Sequence, residues 1–139
     1  MADAVGVNQG PQTRQLAVAI DGIHTDIICT WFSDRIMVVV TQYRKFGTLI
    51  NVKKESTVSR DLSSNQPLNN EPVFNTKVLM GKDEPVWHVY GRQIASIIGE
   101  KDESNRQVLL AIALKKHSPE ILHCIMDQIQ ELKTSSLVK

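Results

Sequence analysis

Two segments of this chain are apolar on both sides of an extended backbone, and they constrain the fold more than any other feature. Arg35 to Gln42 holds Ile36, Met37, Val38, Val39 and Val40 in succession, and Gln107 to Leu114 is apolar throughout after Gln107. A strand turns successive side chains to opposite faces, so an unbroken apolar run marks a strand covered on both sides. Such strands belong in the middle of a sheet. Helices of the same chain can cover one face. The other is then left for a partner, which predicts a dimer rather than a free monomer.

The remaining pattern supplies the rest of the sheet. Arg14 to Ile20 reads as a first strand, and Asp21-Gly22 as a hairpin turn into a second, Ile23 to Phe32. In that second strand Ile23, Thr25, Ile27, Cys29 and Trp31 share one face. Ser33-Asp34 turns the chain into Arg35 to Gln42, and Lys45 to Gly47 turns it into a short strand, Thr48 to Lys53. Residues 54–73 are rich in Ser and Asn and read as a polar loop, the best insertion site in the chain. Val73 to Met80 is a fifth strand and Gln107 to Leu114 a sixth.

Two helices complete the chain. Asp83 is expected to cap the first, with Glu84 and Pro85 in its opening turn and Gly99 at its end. Val86, Trp87, Tyr90, Ile94, Ile97 and Ile98 fall on one stripe at about 100° per residue. Ser118 and Pro119 open the second, whose stripe includes Ile121, Leu122, Ile125, Met126, Ile129 and Leu132. The predicted fold is α+β: a single domain with a mostly antiparallel six-stranded sheet and two helices, ordered βββββαβα. Residues 1–13 are expected to be a flexible leader and residues 14–139 the domain.

Composition narrows the function. In 139 residues, 16 basic side chains stand against 15 acidic ones, so there is no basic footprint for nucleic acid. No apolar run reaches the roughly 18 residues of a membrane span, and Met1 to Gly10 does not read as a signal peptide. Two cysteines in unrelated contexts, Cys29 and Cys124, read as reduced thiols of a cytoplasmic protein, with the nucleus as a second compartment.

Catalytic chemistry finds little support. Gly81-Lys82 lacks the earlier glycine and the following Ser/Thr of a phosphate loop. Glu84 and His88, four apart on one helix, have no third or fourth metal ligand. Cys124 adjoins His123, but neighbouring helix residues diverge by about 100°, so His123 is badly placed to activate it. Trp31 and Trp87 lie on apolar faces and read as core. A small enzyme whose site assembles only at a dimer interface would need a nucleophile, a base and an orienting group, and the sequence displays no such set.

The segment Thr76-Lys77-Val78-Leu79-Met80-Gly81-Lys82-Asp83-Glu84-Pro85 leads into His88-Val89-Tyr90. With Asn105 to Lys115, and with Val38 to Gln42 followed by Gly47-Thr48-Leu49, it resembles the proteasome assembly chaperone 3 family from about Ile23 to Lys133. No single short motif is diagnostic; the specificity lies in several stretches in the right order. The resemblance implies pairing with a sister, proteasome assembly chaperone 4. The dimer would promote assembly of the α subunits of the 20S proteasome into a ring, with contact near the α5 subunit, and leave as β subunits arrive. It implies neither catalysis nor a cofactor. Two stretches depart from the family: a longer leader up to about Ala19, and an insertion from Ser63 to Val73.

No short functional motif transfers residue by residue, so partner-binding residues are chosen on physical grounds. The polar ridge Glu84, His88 and Arg92, with the polar loop, is the candidate for α subunits. For dimerisation, with the sister or with a second copy, the candidates are Val38 and Val40 on the two-sided strand and Ile125 and Ile129 on the second helix. A generic protein-interaction adaptor of similar fold is the alternative that the residues leave open.

Overall fold

The computed structural model describes residues 10–43, 47–55, 73–100, 102 and 104–134. The elements run β1 (Gln12–Ile20), β2 (Ile23–Trp31), β3 (Arg35–Thr41), β4 (Thr48–Glu55), β5 (Val73–Met80), α1 (Pro85–Ile98), β6 (Gln107–Ala113) and α2 (Pro119–Thr134). They form one six-stranded sheet in the order β1-β2-β3-β6-β4-β5. The fold class and element order match the expectation from sequence.

All neighbouring strands are antiparallel except β3 and β6, which run parallel from Arg35 beside Gln107 to Thr41 beside Ala113. The parallel pair follows from the path of the chain. After β3 the chain builds β4 and β5 further out, crosses back through α1, and inserts β6 between β3 and β4. The two strands with apolar residues on both faces thereby become the central pair. At the far edge, Asp21 and Gly22 both take positive φ, 55° and 76°. That is the geometry of a two-residue hairpin whose twist suits the flanking strands, and it sets Ile20 beside Ile23.

Both helices lie on one face of the sheet. α1 packs on β4, β5 and β6, α2 packs on β1 and β2, and the helices touch each other. Between them and the sheet lies the core, with Ile27, Val38, Ile50, Leu110, Ile94 and Ile125 fully buried. Gly91 lets α1 come close: a Cβ there would stand 3.1 Å from the Val52 side chain. The two helices are also tied at their ends. Arg14 Nη1 donates to the carbonyls of Leu132 and Lys133 at 2.8 and 3.1 Å, at the close of α2, and its guanidinium lies 5.4 Å from the Trp31 ring centre. Lys133 Nζ donates to the Ile97 carbonyl of α1 at 2.8 Å. Cations at helix C-termini satisfy carbonyls that the helix itself leaves unpaired.

Some boundaries and one cap differ from the sequence reading. β1 takes in Gln12 and Thr13, which were expected in the leader; they pair with Trp31 and Thr30. Lys54 and Glu55 extend β4 instead of opening the polar loop. The rest of that loop, 56–72, residues 1–9 of the leader and most of the Lys45–Gly47 turn lie outside the described residues. Ser118 caps α2 as expected, its Oγ accepting from the Ile121 N–H at 3.1 Å. Asp83 does not cap α1. Glu84 holds the capping position in an extended conformation, φ −123° and ψ 145°, without a side-chain bond. Pro85 is the cause, because the residue before a proline is driven out of the helical region.

Candidate partner interface

The second face of the sheet carries no helix, and among the described residues nothing lies over it. In register across the strands, Ile28, Val39, Ala111 and Leu49 form a row that ends at Met80. The adjoining row is Thr30, Met37, Leu109, Asn51 and Lys77. The larger apolar side chains of both rows are only half-buried, and at the end of β5 Leu79 and Met80 are 51% and 55% exposed. A contiguous apolar surface of this kind is what an interface core requires, and an isolated exposed side chain is not. Polar groups frame it: Asn51 Nδ2 donates to Gln107 Oε1 at 2.8 Å, and Asp26 pairs with His24 at 3.0 Å.

The expected dimerisation residues lie elsewhere. Val38 and Val40 point to the helix-covered face, and they, Ile125 and Ile129 are all 0% exposed. They hold this chain together and offer no surface to another. The outward residues of β3 are their neighbours Met37 and Val39. Alternation in the sequence separates the two sets, but only the position of the helices says which set faces out.

The ridge on α1 is also rearranged. His88 turns toward the sheet, its Nδ1 2.6 Å from Thr76 Oγ1 and its Nε2 2.6 Å from Asp83 Oδ1. The imidazole thus fastens α1 to the edge strand β5 and does not stand free. Glu84, partly exposed, pairs with Lys82 at 3.5 Å, and Arg92 is exposed on the outer side of the helix. Val89 stands on the same side, 42% exposed.

The titratable groups favour structure over chemistry. Cys29 is buried and its thiol is pushed up to about 12 by burial, with Arg14 opposing weakly. A thiol so far from ionisation is a poor nucleophile. Cys124 is a free surface thiol. Trp87 is core, edge-on to Tyr90 at 5.5 Å and to His117 at 5.3 Å; Trp31 is half-buried against the core. Burial would raise the Asp102 carboxyl, but hydrogen bonds and the charge of Arg106 outweigh it and hold the group below its ordinary value. Arg106 reaches on to donate to the Phe32 carbonyl at 2.9 Å. Among the described residues no three His, Cys, Asp or Glu side chains gather as a metal site would need.

Comparisons with known proteins place the chain in a family. Residues 38–132 match the family model "Proteasome assembly chaperone 3". A proteasome assembly chaperone 3 from Nematostella vectensis is 50% identical over 123 residues, 88% of this chain and 90% of that protein. The one from Homo sapiens is 38% identical over 118 residues, 85% and 89% of the two. In structure, the chain matches one from a crystal structure of a chaperone complex for yeast 20S proteasome assembly, with a TM-score of 0.68 and 11% identity. That match covers 91% of this chain and the whole of the other, and at such low identity it speaks for the fold alone. Sequence identity over nearly the full length, with the family match spanning β3 to α2, shows that this chain belongs to the proteasome assembly chaperone 3 family.

Proposed function

We propose that the chain is one half of a chaperone dimer that gathers α subunits of the 20S proteasome in the cytoplasm and guides them into a ring. The observation that carries the dimer is the uncovered sheet face. Ile28, Met37, Val39, Leu49 and Leu109 form an apolar floor that a second sheet can cover, as the two layers of a β-sandwich cover each other. The sister chaperone implied by the family is the proposed occupant. A second copy would take its place when the sister is absent.

The helix layer then faces outward and is free to meet α subunits, with α5 the nearest. Arg92 and Val89 on α1, with Glu84 at its start, are the proposed contacts. Such contacts are small and partly polar, which suits a partner that must leave when β subunits arrive. The chain would act by holding neighbours in order, with release by steric competition and no chemical step.

The test is purification of the tagged chain from its own cells at low salt, followed by mass spectrometry. Recovery of the sister chaperone and free α subunits, without mature β subunits, is the expected result. A different stable partner in their place would turn the reading to a general adaptor.

A further inference from the structure

The uncovered face carries a charge pattern that its apolar floor does not need. Lys53 and Lys77 stand on this face, on β4 and β5. Asn51 pairs with Lys77 and Lys53 with Asn75, so the two lysines are diagonal neighbours across one ladder. Diagonal positions stand about 7–8 Å apart, close enough for two ammonium groups to repel. Neither lysine makes an ion pair among the described residues. The one carboxylate nearby on this face among the described residues, Glu55, accepts from Asn75 Nδ2 at 3.0 Å. Elsewhere on the face the charged side chains already have partners within the chain. Asp26 pairs with His24 at 3.0 Å, and Arg35 with Asp34 at 3.4 Å. Beside the floor, then, stand two lysines that no ion pair engages among the described residues.

A second copy of this chain would bring the same two lysines, and its carboxylates on this face, Asp26 and Glu55, are already hydrogen-bonded within their own chain. Covering the face would then desolvate charge without pairing it, which works against binding. A sheet with carboxylates at the matching positions would pair the lysines and end their mutual repulsion.

We propose that Lys53 and Lys77 select the partner of the open face: they favour a sister sheet whose rim carries acidic side chains, and they disfavour a second copy of this chain. The inference rests on the dimer reading above and adds to it the chemistry of the occupant. The apolar floor supplies adhesion, and the lysine pair supplies discrimination, the usual division between apolar area and charge at an interface.

The test measures binding of the purified sister chaperone to three forms of the full chain by titration at several salt concentrations. These are wild type, Lys53→Glu with Lys77→Glu, and a control of equal charge change away from the sheet face, Lys82→Glu with Lys116→Glu. At low salt the face variant is expected to bind the sister roughly 100-fold more weakly than wild type, and in 1 M NaCl the gap should close to about threefold. Lys53→Gln with Lys77→Gln, which deletes charge without reversing it, should fall between the two and guards against a variant that fails to fold. Self-association of this glutamine form, read by sedimentation, should exceed that of wild type. If wild type binds the sister and the face variant matches the control, lysine selection is overturned and the dimer reading stands. If wild type does not bind the sister at all, both are overturned.

Discussion

The two faces of this sheet are built by the same strands and have opposite fates. On one face Cys29, Val38, Leu110 and Ile50 lie in register and are fully buried under α1 and α2. On the other, one residue along each strand, Ile28, Val39 and Leu49 are half-buried and uncovered. Both rows are apolar, so hydrophobicity alone does not distinguish them. What differs is what supplies the cover. For the first row it is the chain's own helices. The second retains the apolar character of a core residue without the cover, and two of its neighbours, Lys53 and Lys77, are charges that a core would not tolerate unpaired. The same strand can thus serve stability with one side and recognition with the other.

The largest expected effect separates these roles at adjacent residues. Val38→Asp places a carboxylate in a site with no exposure and no partner, at a cost of about 4 kcal/mol or more, enough to unfold a domain of ordinary stability. Val39→Asp places the same group on the uncovered face. It should change stability by about 1 kcal/mol or less and abolish capture of the sister chaperone. Urea unfolding together with sedimentation of the mixed proteins reads both quantities. Equal destabilisation by the two variants would break the distinction between the faces.

That distinction shows where sequence legibility ends. The continuous apolar runs at Ile36–Val40 and Val108–Leu114 reveal central strands because burial on both sides suspends the usual alternation. Asp21-Gly22 reveals its hairpin, and Ser118-Pro119 its helix start, because each rests on local backbone chemistry. The parallel pairing of β3 and β6 is not legible, since it depends on where a distant strand inserts. For the same reason Val38 and Val40 were natural but mistaken candidates for a partner surface: alternation divides the strand into two sets and leaves their assignment to helices far along the chain. His88 is similar. Its spacing from Glu84 and Arg92 suggests a ridge, and only the approach of Thr76 from β5 and of Asp83 shows that it is occupied.

The covered side has a second support, independent of apolar packing. Arg106 donates through its backbone N–H, Nε and Nη2 to the Asp102 carboxylate, at 3.1, 3.3 and 3.0 Å, and through Nη1 to the Phe32 carbonyl. This joins the entry of β6 to the end of β2. Arg106→Met should cost about 2 kcal/mol near neutral pH, the scale for charge-assisted hydrogen bonds. The pH dependence sharpens the test. Because the folded-state value of Asp102 lies below its ordinary one, its contribution is complete above about pH 4 and is lost as pH falls through the lowered value. The difference in urea midpoint between wild type and Arg106→Met should therefore be level from pH 8 to 5 and shrink below about pH 4. A difference that does not vary with acid would show that Arg106 acts by packing and through the Phe32 carbonyl, not through Asp102. Sister binding should be untouched near neutral pH, since neither side chain stands on the uncovered face.

The smallest expected change in stability belongs to the outer side of α1, a third surface against which the two sheet faces can be compared. Glu84 is partly exposed and its 3.5 Å contact with Lys82 is a surface ion pair; Arg92 is exposed. Reversing both, Glu84→Arg with Arg92→Glu, should move stability by no more than about 0.5 kcal/mol, because solvent screens such charges. It leaves His88 and its bonds to Thr76 and Asp83 in place, so α1 stays fastened to β5. Sister binding should also be unchanged. Capture of α subunits is expected to fall about tenfold at low salt and to recover as salt rises, because salt screens charges at a small, partly polar contact. If capture is unchanged while folding and sister binding are intact, the outer side of α1 does not meet the α subunit. The contact would then have to be sought on the exposed side of α2, where Glu120, His123, Asp127 and Glu131 offer a mostly acidic surface in place of a mixed one.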